Sequence, residues 1–487
     1  MNISGHCSSN PPEANTTIQL IKRHEKKLAV VISTLFMIFA QLHIDAKHFV
    51  GDAGYYWDLS SFIWDLSPPQ SYRGYFYPLL LSPAKFVFDT FPSTGYLVFY
   101  ASQALVFSFT LTIFLPYVFT SLIGGQVSFA RRLIAPACVA FFFPGLVAYP
   151  LSDLPALCLL IVSFALILSA SKQSKFTNAL ILTSLAGIAA YGAYNTRTIY
   201  LFTSAMLVIL TPMLVLKSKP IIARTILTAA FILGIAVAAT PQALTNLKHL
   251  GSPTPFVITN FNNTSLFANQ LKWGITVQRY ETGYNAESGA IFPIYYLDST
   301  GERIFKNHDI GAAYATVPWY FSIFISEPVS FLKIYTKHLI NGLDVRDGDP
   351  YTRIRSKENN FLSITSISIA ILGLFCLFTL IVRRPKSPLH TLPLKQILPR
   401  AVWTFTILLP VLAIIPGAIE TRFFLPLHLI AYCSIAFGLS IPHIKLIPRR
   451  NILLLFIAYF AIVVLSYISA KESIFNPVYV VPEEYIK

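Results

Sequence analysis

A carboxylate stands just after the first long apolar stretch of the chain, at the boundary between hydrocarbon and water. Asp52 lies between Gly51 and Gly54 in the segment FVGDAGYYWDLSSFIWDLS. A carboxylate that reaches a hydroxyl group within about 3 Å can act as a general base. We therefore predict a catalytic role for Asp52, with Asp45 as the alternative acid in the same region.

Isolated cations occur at the ends of other apolar stretches. Arg197 lies in YNTRTIY, Arg422 follows Glu420 in AIETRFFLP, and Arg73 lies in SYRGYFYPLLLSP. A cation is costly in lipid and indicates a function by default, and the guanidinium fork matches phosphate oxygens. The alternatives are a purely structural ion pair for Glu420 and Arg422, and an interfacial anchor for Arg73.

A second acid precedes an apolar stretch in YPLSDLPA. Asp153 stands two residues before Pro155, where a helix is expected to begin. An acid at this position can simply stabilise the positive end of the helix dipole. The sequence leaves this capping role and a role as second acid of the site equally open.

Aromatic and acidic residues repeat in the segment after Asp52. Trp57 and Trp64 are seven residues apart, as are Asp58 and Asp65. On one helix each pair would share a stripe, and Trp favours the headgroup level of a membrane. We predict an interfacial helix on which Asp58 and Asp65 face water.

The elements that must position these residues are membrane-spanning helices. The chain of 487 residues is 54% hydrophobic and only 12% charged, with a mean hydropathy of +0.60, which indicates an integral membrane protein. A helix needs roughly 20 apolar residues to cross about 30 Å of hydrocarbon. About eleven spans are predicted, at 28–44, 96–123, 133–150, 154–170, 177–194, 199–216, 221–243, 361–382, 401–416, 421–440 and 451–469.

The distribution of charge predicts the orientation. By the positive-inside rule the N-terminus is expected in the cytoplasm and the C-terminus outside. Among the acids only Glu13 and Glu25 fall inside, so the working face is expected outside. The net charge of +15 is then a topology signal and does not indicate nucleic-acid binding. The basic clusters that set this orientation are 22–27, 131–132, 172–175, 217–224, 383–400 and 445–450.

The longest polar segment is expected to form a small external domain. Within it, Trp319 to Ile340 is apolar but broken at Ser326-Glu327-Pro328, which favours interfacial or re-entrant helices, with a full span as the alternative. The fold class is an all-α polytopic membrane protein. The predicted parts are a cytoplasmic tail (1–27), an N-terminal transmembrane module (28–244) with a first external loop (45–95), a large external loop (245–360), C-terminal transmembrane helices (361–470) and an external tail (471–487).

Metal and disulfide patterns are weak. The five cysteines lie in the inner tail or in spans, with no disulfide framework or metal-ligand spacing. Asp344, Asp347 and Asp349 have a loose calcium-loop spacing, but a turn at Asp347-Gly348-Asp349 explains them better.

Six segments of the chain form a familiar combination: GDAGYYWDLS, RGYFYPLLL, SDLPA, YNTRTIY, PQALTNLKHLGSPTPF and ETRFFLP. Together they resemble the GT-C superfamily of polytopic membrane glycosyltransferases. Within it the chain is most similar to bacterial and phage-type O-antigen (serotype-modifying) glucosyltransferases that use polyprenyl-phosphate sugars. The chain departs from the protein-O-mannosyltransferase pattern, in which a second acid follows the first-loop acid, because here Ala53 follows Asp52.

The resemblance implies a GT-C fold and a chemistry. A hexose, expected to be glucose, would move from polyprenyl phosphate to a lipid-linked surface glycan such as O-antigen, with inversion at the anomeric carbon. Asp52 would act as general base. The chemistry requires no cofactor, and a divalent metal stays open. The donor phosphate would be held by Arg197, Arg422 and, less directly, Arg73, with Asp153 or Asp45 as second acid and Glu420 and Tyr55 as further site residues.

The same resemblance implies a location and partners. The protein would lie in the bacterial inner membrane with its site facing the periplasm, in one pathway with a flippase and a polyprenyl-phosphate sugar synthase, and with no nucleic-acid partner. The competing interpretations are a lipid-sugar flippase or transporter, and an O-antigen polymerase or ligase. Transporters place charges near mid-membrane and often carry inverted repeats. Here the charges cluster at span ends and no repeat is visible.

Overall fold

The computed structural model describes most of the chain. The described residues are 13–66, 73–258, 260–261, 264–285, 290–310, 315–352, 359–382, 394–439, 449–475 and 477–479. The basic segments at 383–393 and 440–448, which contribute to the predicted orientation, lie outside them, as do residues 1–12 and 480–487 of the two predicted tails.

Long apolar helices dominate the structure, and 78% of the described residues are helical. The prediction of a multi-pass membrane protein is confirmed at this level. Within the described residues, the ten helices long and apolar enough to cross a membrane are His24–Ile44, Leu97–Leu122, Asp153–Lys172, Phe176–Thr196, Thr198–Val215, Ile221–Leu250, Asn360–Val382, Ile397–Ile414, Thr421–Gly438 and Leu453–Ser473.

These spans belong to helices that we number along the chain. The first helix, α1 (Glu13–Ile44), starts within the predicted cytoplasmic tail. Turns of π-helix interrupt or end three of the spans, at Thr110–Phe114, Thr211–Val215 and Ser434–Gly438. The helices of the membrane part are α1 (Glu13–Ile44), α4 (Leu97–Phe109), α5 (Leu115–Leu122), α6 (Phe129–Phe142), α7 (Pro144–Ala148), α8 (Asp153–Lys172), α9 (Phe176–Thr196), α10 (Leu201–Leu210), α11 (Ile221–Leu250), α16 (Asn360–Val382), α17 (Leu394–Ile414), α18 (Leu425–Cys433) and α19 (Arg449–Ser473).

The predicted span at 133–150 is broken in the structure. Helix α6 ends at Phe142 and α7 begins at Pro144, so neither piece is as long as a single span. Proline removes a backbone donor and clashes with the preceding turn, but it suits the first turn of a new helix. The ten long helices and this broken pair together account for the eleven predicted apolar segments.

The first external loop contains two helices, α2 (Gly51–Leu59) and α3 (Phe76–Thr90), with a 3₁₀ turn at Ile63–Asp65 between them. The prediction of one helix with shared stripes is wrong because α2 ends at Leu59. Trp57 is buried, whereas the side chain of Trp64 is 75% exposed. The helix ends between the two tryptophans, so their spacing of seven residues does not place them on one helix face.

The large external loop contains a sheet that the sequence did not predict. Strand β3 (Val277–Tyr284) pairs antiparallel with β4 (Ile291–Leu297). Strand β5 (Tyr351–Thr352) lies parallel to β3, and β6 (Pro477–Tyr479) adds to the other edge on β4. Because β6 comes from the tail after the last span, that tail and the loop form one unit. A two-residue pair, β1 (Asn260–Phe261) with β2 (Thr264–Ser265), precedes them.

Four helices complete this unit. As predicted, the apolar stretch at 319–340 breaks before Pro328, and the first of the two resulting helices has only ten residues. Their apolar core includes Leu271, Ile275, Tyr320 and Phe331. The four helices are α12 (Leu266–Thr276), α13 (Ser299–Asn307), α14 (Val317–Ser326) and α15 (Pro328–Leu343).

Contacts between loops agree with the predicted sidedness. At one end of the bundle Arg131 donates to the carbonyl oxygen of Leu439 at 2.9 Å, and Arg132 lies 3.7 Å from Glu25. All these residues belong to segments expected on the inner side. The sheet gathers segments expected on the other side. Which end faces the cytoplasm stays a prediction.

Glycines let α9 and α11 pack backbone against backbone. A Cβ on Gly187 would lie 2.0 Å from the carbonyl oxygen of Phe231, and one on Gly234 would lie 2.0 Å from that of Ser184. Arg197 follows the last residue of α9, so the packing of α9 against α11 helps to position it. A side chain at either glycine would push the helices apart.

We predict that Gly187→Val lowers the free energy of unfolding by about 1–3 kcal/mol, because an added side chain has no space in this contact. Thermal unfolding of the purified protein in detergent measures the effect. The matched control is Ala236→Val, on an exposed position of α11. Equal stability of the two variants would contradict the close helix contact.

Candidate functional site

The guanidinium group of Arg422 lies at the centre of a cluster of charged side chains. Its Nη2 atom is 2.7 Å from Oε2 of Glu420 and 3.7 Å from Oδ2 of Asp52. Its Nη1 atom is 3.9 Å from Oδ2 of Asp153. Three acids from distant parts of the sequence thus surround one cation.

Two further arginines extend the cluster on either side. Arg73 forms an ion pair with Asp52, and Arg197 forms one with Asp153. The order Arg73, Asp52, Arg422, Asp153, Arg197 alternates in charge along its whole length. With Glu420 on the central cation, three carboxylates face three guanidinium groups. We call these six residues the ionic cluster.

Helix ends bring the ionic cluster together. Asp52 lies in the first turn of α2 and Asp153 is the first residue of α8, where the helix dipole favours an acid. Arg197 follows the last residue of α9, and Arg422 lies in the 3₁₀ turn Thr421–Phe424 that leads into α18. The sequence places each residue at a span end, and the bundle makes those ends converge.

A buried amide fixes the segments of two of the arginines to each other. Asn195 Oδ1 accepts the backbone N–H of Phe76 at 2.8 Å, and Asn195 Nδ2 donates to Oε1 of Gln242 at 2.9 Å. A Cβ on Gly74 would lie 2.0 Å from the carbonyl oxygen of Asn195. The residue after Arg73 and the residue two before Arg197 are therefore in direct contact.

The three carboxylates differ in exposure. The side chain of Asp52 is 44% exposed, whereas those of Asp153 and Glu420 are 3% and 7% exposed. Oδ2 of Asp153 is buried and accepts no hydrogen bond from the residues that the structure describes. Asp52 is thus the acid that an incoming hydroxyl group can reach, and Asp153 retains an acceptor atom inside the cluster.

The surroundings of Asp52 and Glu420 shift the pKa values of these two acids in opposite directions. Burial acts to raise the pKa of Asp52, but Arg73 and Arg422 outweigh it and hold the pKa below its usual range. Burial raises the pKa of Glu420 to about 7 against the opposing effect of Arg422. At neutral pH Asp52 is therefore ionised, while Glu420 is close to its midpoint.

Two predicted site residues lie at or beyond the edge of the cluster. Asp45 is exposed at the end of α1, where it pairs with Lys47 at 3.8 Å, so the structure does not bring this alternative acid to the site. Tyr55 is 49% exposed, and its ring centroid is 5.9 Å from the Arg73 guanidinium carbon. The buried ring of Tyr56 is closer to that carbon, at 4.6 Å.

Aromatic residues that sequence reasoning missed line the cluster. The guanidinium of Arg197 lies over the ring of Phe423 at 4.3 Å. The hydroxyl group of Tyr351 accepts the backbone N–H of Ala53 at 3.0 Å, beside Asp52. Tyr280 is held next to the cluster by its backbone N–H, which donates to the carbonyl oxygen of Ile419 at 2.9 Å. Burial raises the pKa of both tyrosines, so they remain protonated.

No local signal marked Tyr280 and Tyr351, because both come from the unpredicted sheet. Phe423 is adjacent to Arg422, and its aromatic ring beside a cation could have suggested a cation–π contact. The DGD segment forms the predicted turn: Oδ1 of Asp347 accepts the N–H of Asp349 at 3.0 Å.

Residues of the ionic cluster border two of three cavities in the described part of the chain. A small polar cavity of about 40 Å³ borders Glu420 and Arg422. A long apolar groove of about 880 Å³ runs between α1, α6 and α16. A third cavity of about 210 Å³ has Arg197 in its wall. We call the last two the long groove and the Arg197 pocket.

Metal binding has no clear donor set here. In the part of the chain that the structure describes, no group of three or more His, Cys, Asp or Glu side chains could hold a metal ion. The acids of the ionic cluster each face a guanidinium group. Chemically, the cluster combines one accessible carboxylate, Asp52, with three guanidinium groups that could bind an anion.

Comparisons with known proteins found no relative. No protein-family model, no curated protein and no solved structure matches the chain.

We predict that anion binding at the cluster weakens as pH rises through about 7. Protonated Glu420 is neutral and leaves Arg422 with more positive charge for a ligand, whereas ionised Glu420 competes with that ligand. The affinity for a dialkyl phosphate, whose own charge is constant in this range, should fall roughly tenfold from pH 6 to pH 8.

Calorimetry or lipid-binding measurements across this pH range test the prediction. Glu420→Gln should retain the high affinity at every pH. Glu472→Gln, at an exposed position of α19, should behave as the wild type. An affinity of the wild-type protein that does not change with pH would show that Glu420 does not control the cation.

Proposed function

We propose that the protein is a glycosyltransferase that moves a hexose from polyprenyl phosphate to a lipid-linked surface glycan. The observation that carries the proposal is the ionic cluster, with one exposed carboxylate and three guanidinium groups at one end of a membrane-helix bundle. The mainly apolar cavity that Arg197 borders has the character that a lipid-linked substrate requires. The resemblance of the GDAGYYWDLS, YNTRTIY and ETRFFLP segments to GT-C enzymes supports the same class.

The donor already contains its leaving group. In the proposed reaction an acceptor hydroxyl oxygen attacks the anomeric carbon while the bond from that carbon to the phosphate oxygen breaks. The electron pair of that bond goes to the phosphate, and the hydroxyl proton goes to Asp52. In-line attack inverts the anomeric configuration. The enzyme supplies position, a base and positive charge.

The alternating cluster couples the base to the leaving group. Asp52 lies 3.7 Å from Arg422 and also pairs with Arg73. The ionised carboxylate therefore compensates part of the positive charge of both arginines. When Asp52 takes the acceptor proton, its negative charge disappears. Arg422 is then less compensated at the moment when the phosphate gains a negative charge. Proton transfer and phosphate stabilisation thus reinforce each other.

Arg197 extends this charge stabilisation on the other side of Asp153. The planar guanidinium of arginine suits bidentate contact with phosphate oxygens. In the proposal Arg197 and Arg422 hold the donor phosphate, and Arg73 keeps Asp52 in place. Asp153, which lies between the two clamping residues, sets their separation.

The position of the charges favours an enzyme over a transporter. Asp153 is the first residue of its span, and Arg422 is the second residue of the span Thr421–Gly438. Arg197 lies between two spans. Transporters instead concentrate charges near mid-membrane. We propose that the site faces the periplasm from the bacterial inner membrane, as the positive-inside rule predicts.

We predict that Asp52→Asn lowers the rate of hexose transfer by roughly 10²- to 10⁴-fold, since the amide is no longer a base. The assay uses purified protein, polyprenyl-phosphate glucose and lipid-linked O-antigen. Asp58→Asn is the matched control, because Asp58 is an exposed acid on the same helix. Equal transfer by wild type and Asp52→Asn would refute Asp52 as the base.

The orientation gives a separate prediction. An alkaline-phosphatase fusion after Lys487 should be active, because that enzyme folds only outside the cytoplasm and the C-terminus is expected there. A fusion in the loop between α8 and α9, at Gln173, should be inactive. The reverse pattern would place the ionic cluster on the cytoplasmic side and contradict the proposed site of transfer.

A further inference from the structure

Helix α2, which carries Asp52, begins without a capping side chain of its own. Its N-cap residue, Val50, has the extended backbone typical of that position, but it has no side-chain oxygen and makes no capping hydrogen bond. The backbone N–H groups of a first helical turn need acceptors from outside the helix, and Ser, Thr, Asp or Asn at the N-cap usually supplies one. Ala53 in this turn is fully buried, so its N–H needs an acceptor from elsewhere in the protein.

A distant tyrosine supplies that acceptor. The phenol oxygen of Tyr351 lies 3.0 Å from the backbone nitrogen of Ala53, although the two residues are 298 positions apart in the chain. The oxygen thus takes the place of a missing N-cap side chain. The N–H that it accepts belongs to the peptide group between Asp52 and Ala53. The hydrogen bond therefore acts on the backbone from which the carboxylate of Asp52 extends.

A glycine leaves room for the tyrosine ring. Gly51 has φ +52°, and a Cβ there would lie 3.0 Å from Cδ1 of Ile291 and 3.2 Å from Cε1 of Tyr351. A side chain at this position would have a strained backbone and would press on the ring. The same ring packs edge-to-face on Tyr149, with the ring centroids 4.9 Å apart. Its position beside the start of α2 is therefore closely defined.

The segment that leads into Tyr351 is fastened to the break between α6 and α7. The N–H of Gly145 donates to the carbonyl oxygen of Gly348 at 3.0 Å. A Cβ on Gly145 would lie 2.0 Å from Cδ of Pro350, and one on Gly348 would lie 2.4 Å from Cδ of Pro144. These backbone contacts leave no space for adjustment, so the broken span presents Tyr351 to α2 at a fixed place.

We infer that Tyr351 is a positioning residue for Asp52, because as a distant N-cap of α2 it sets the direction in which the carboxylate faces the acceptor hydroxyl group. The inference rests on the proposed function, in which Asp52 is the base. The ion pairs with Arg73 and Arg422 act on the carboxylate itself, whereas the cap acts on the backbone beside it. A misplacement of about 1 Å can lower a catalysed rate about 100-fold, so this direction affects the reaction.

Removal of the phenol oxygen tests the inference. Tyr351→Phe keeps the ring and deletes the acceptor. With polyprenyl-phosphate glucose and lipid-linked O-antigen, we expect kcat to fall roughly 10- to 100-fold. The KM for the donor should change less than roughly twofold, because the arginines stay in place. Tyr459→Phe is the matched control, since its hydroxyl group donates to the carbonyl oxygen of Ser368 at 3.1 Å on the last span, and it should transfer as the wild type does.

Hydrogen exchange measures the cap without the reaction. The amide of Ala53 should be protected in the wild-type protein and should exchange at least roughly tenfold faster in Tyr351→Phe. Val50→Thr then supplies a local cap, because threonine has the shape of valine and an oxygen suited to the N-cap. In the double variant Tyr351→Phe with Val50→Thr, we expect protection and kcat to return to within about threefold of the wild type.

The outcomes separate positioning from other roles. A wild-type kcat in Tyr351→Phe overturns the inference, as does a double variant in which protection returns but transfer does not. If Tyr351→Phe alone does not fold, judged by its thermal midpoint, the double variant carries the test. Transfer near the wild-type rate then supports the inference, and loss of transfer with a protected amide overturns it. If the amide of Ala53 behaves as expected but even the wild type transfers no hexose, only the proposed function is contradicted.

Discussion

The structure depends on the compensation of charge around Arg422. A cation or carboxylate buried near lipid is costly unless it is paired, and removing one partner leaves the other uncompensated. Arg422 faces Glu420, Asp52 and Asp153, so the segments that contribute these acids must all end at the same place. The meeting of α2, α8 and the turn before α18 is therefore an electrostatic requirement as well as a packing result.

The same compensation defines the resting state of the site. Each carboxylate of the ionic cluster already engages a guanidinium group, so a ligand must compete with an internal anion for its cation. A neutral sugar has no charge with which to do this, whereas a phosphate does. A cluster of this kind therefore favours an anionic ligand over a neutral one. For the same reason we expect protonation of an acid in the cluster to strengthen the binding of an anion.

Much of the cluster could be predicted because charges are rare in this sequence. Arg197, Asp153 and the pair of Glu420 and Arg422 lie at the ends of apolar stretches, where a charge is costly. What could not be predicted depends on contacts between distant segments. The sequence favours Asp52 and leaves Asp45 as the alternative acid, and in the structure Asp52 pairs with Arg73 and Arg422 whereas Asp45 does not reach them. Tyr280 and Tyr351 reach the site through a sheet that the sequence did not predict.

That sheet has a mechanical consequence for the site. Strand β3 places Tyr280 on the backbone of Ile419, beside Glu420, while β5 places Tyr351 on the backbone of Ala53, beside Asp52. Since β3 and β5 are neighbours in one sheet, the acid of the first external loop and the cation before α18 are held to a common support. The sheet therefore helps to fix the spacing of Asp52 and Arg422.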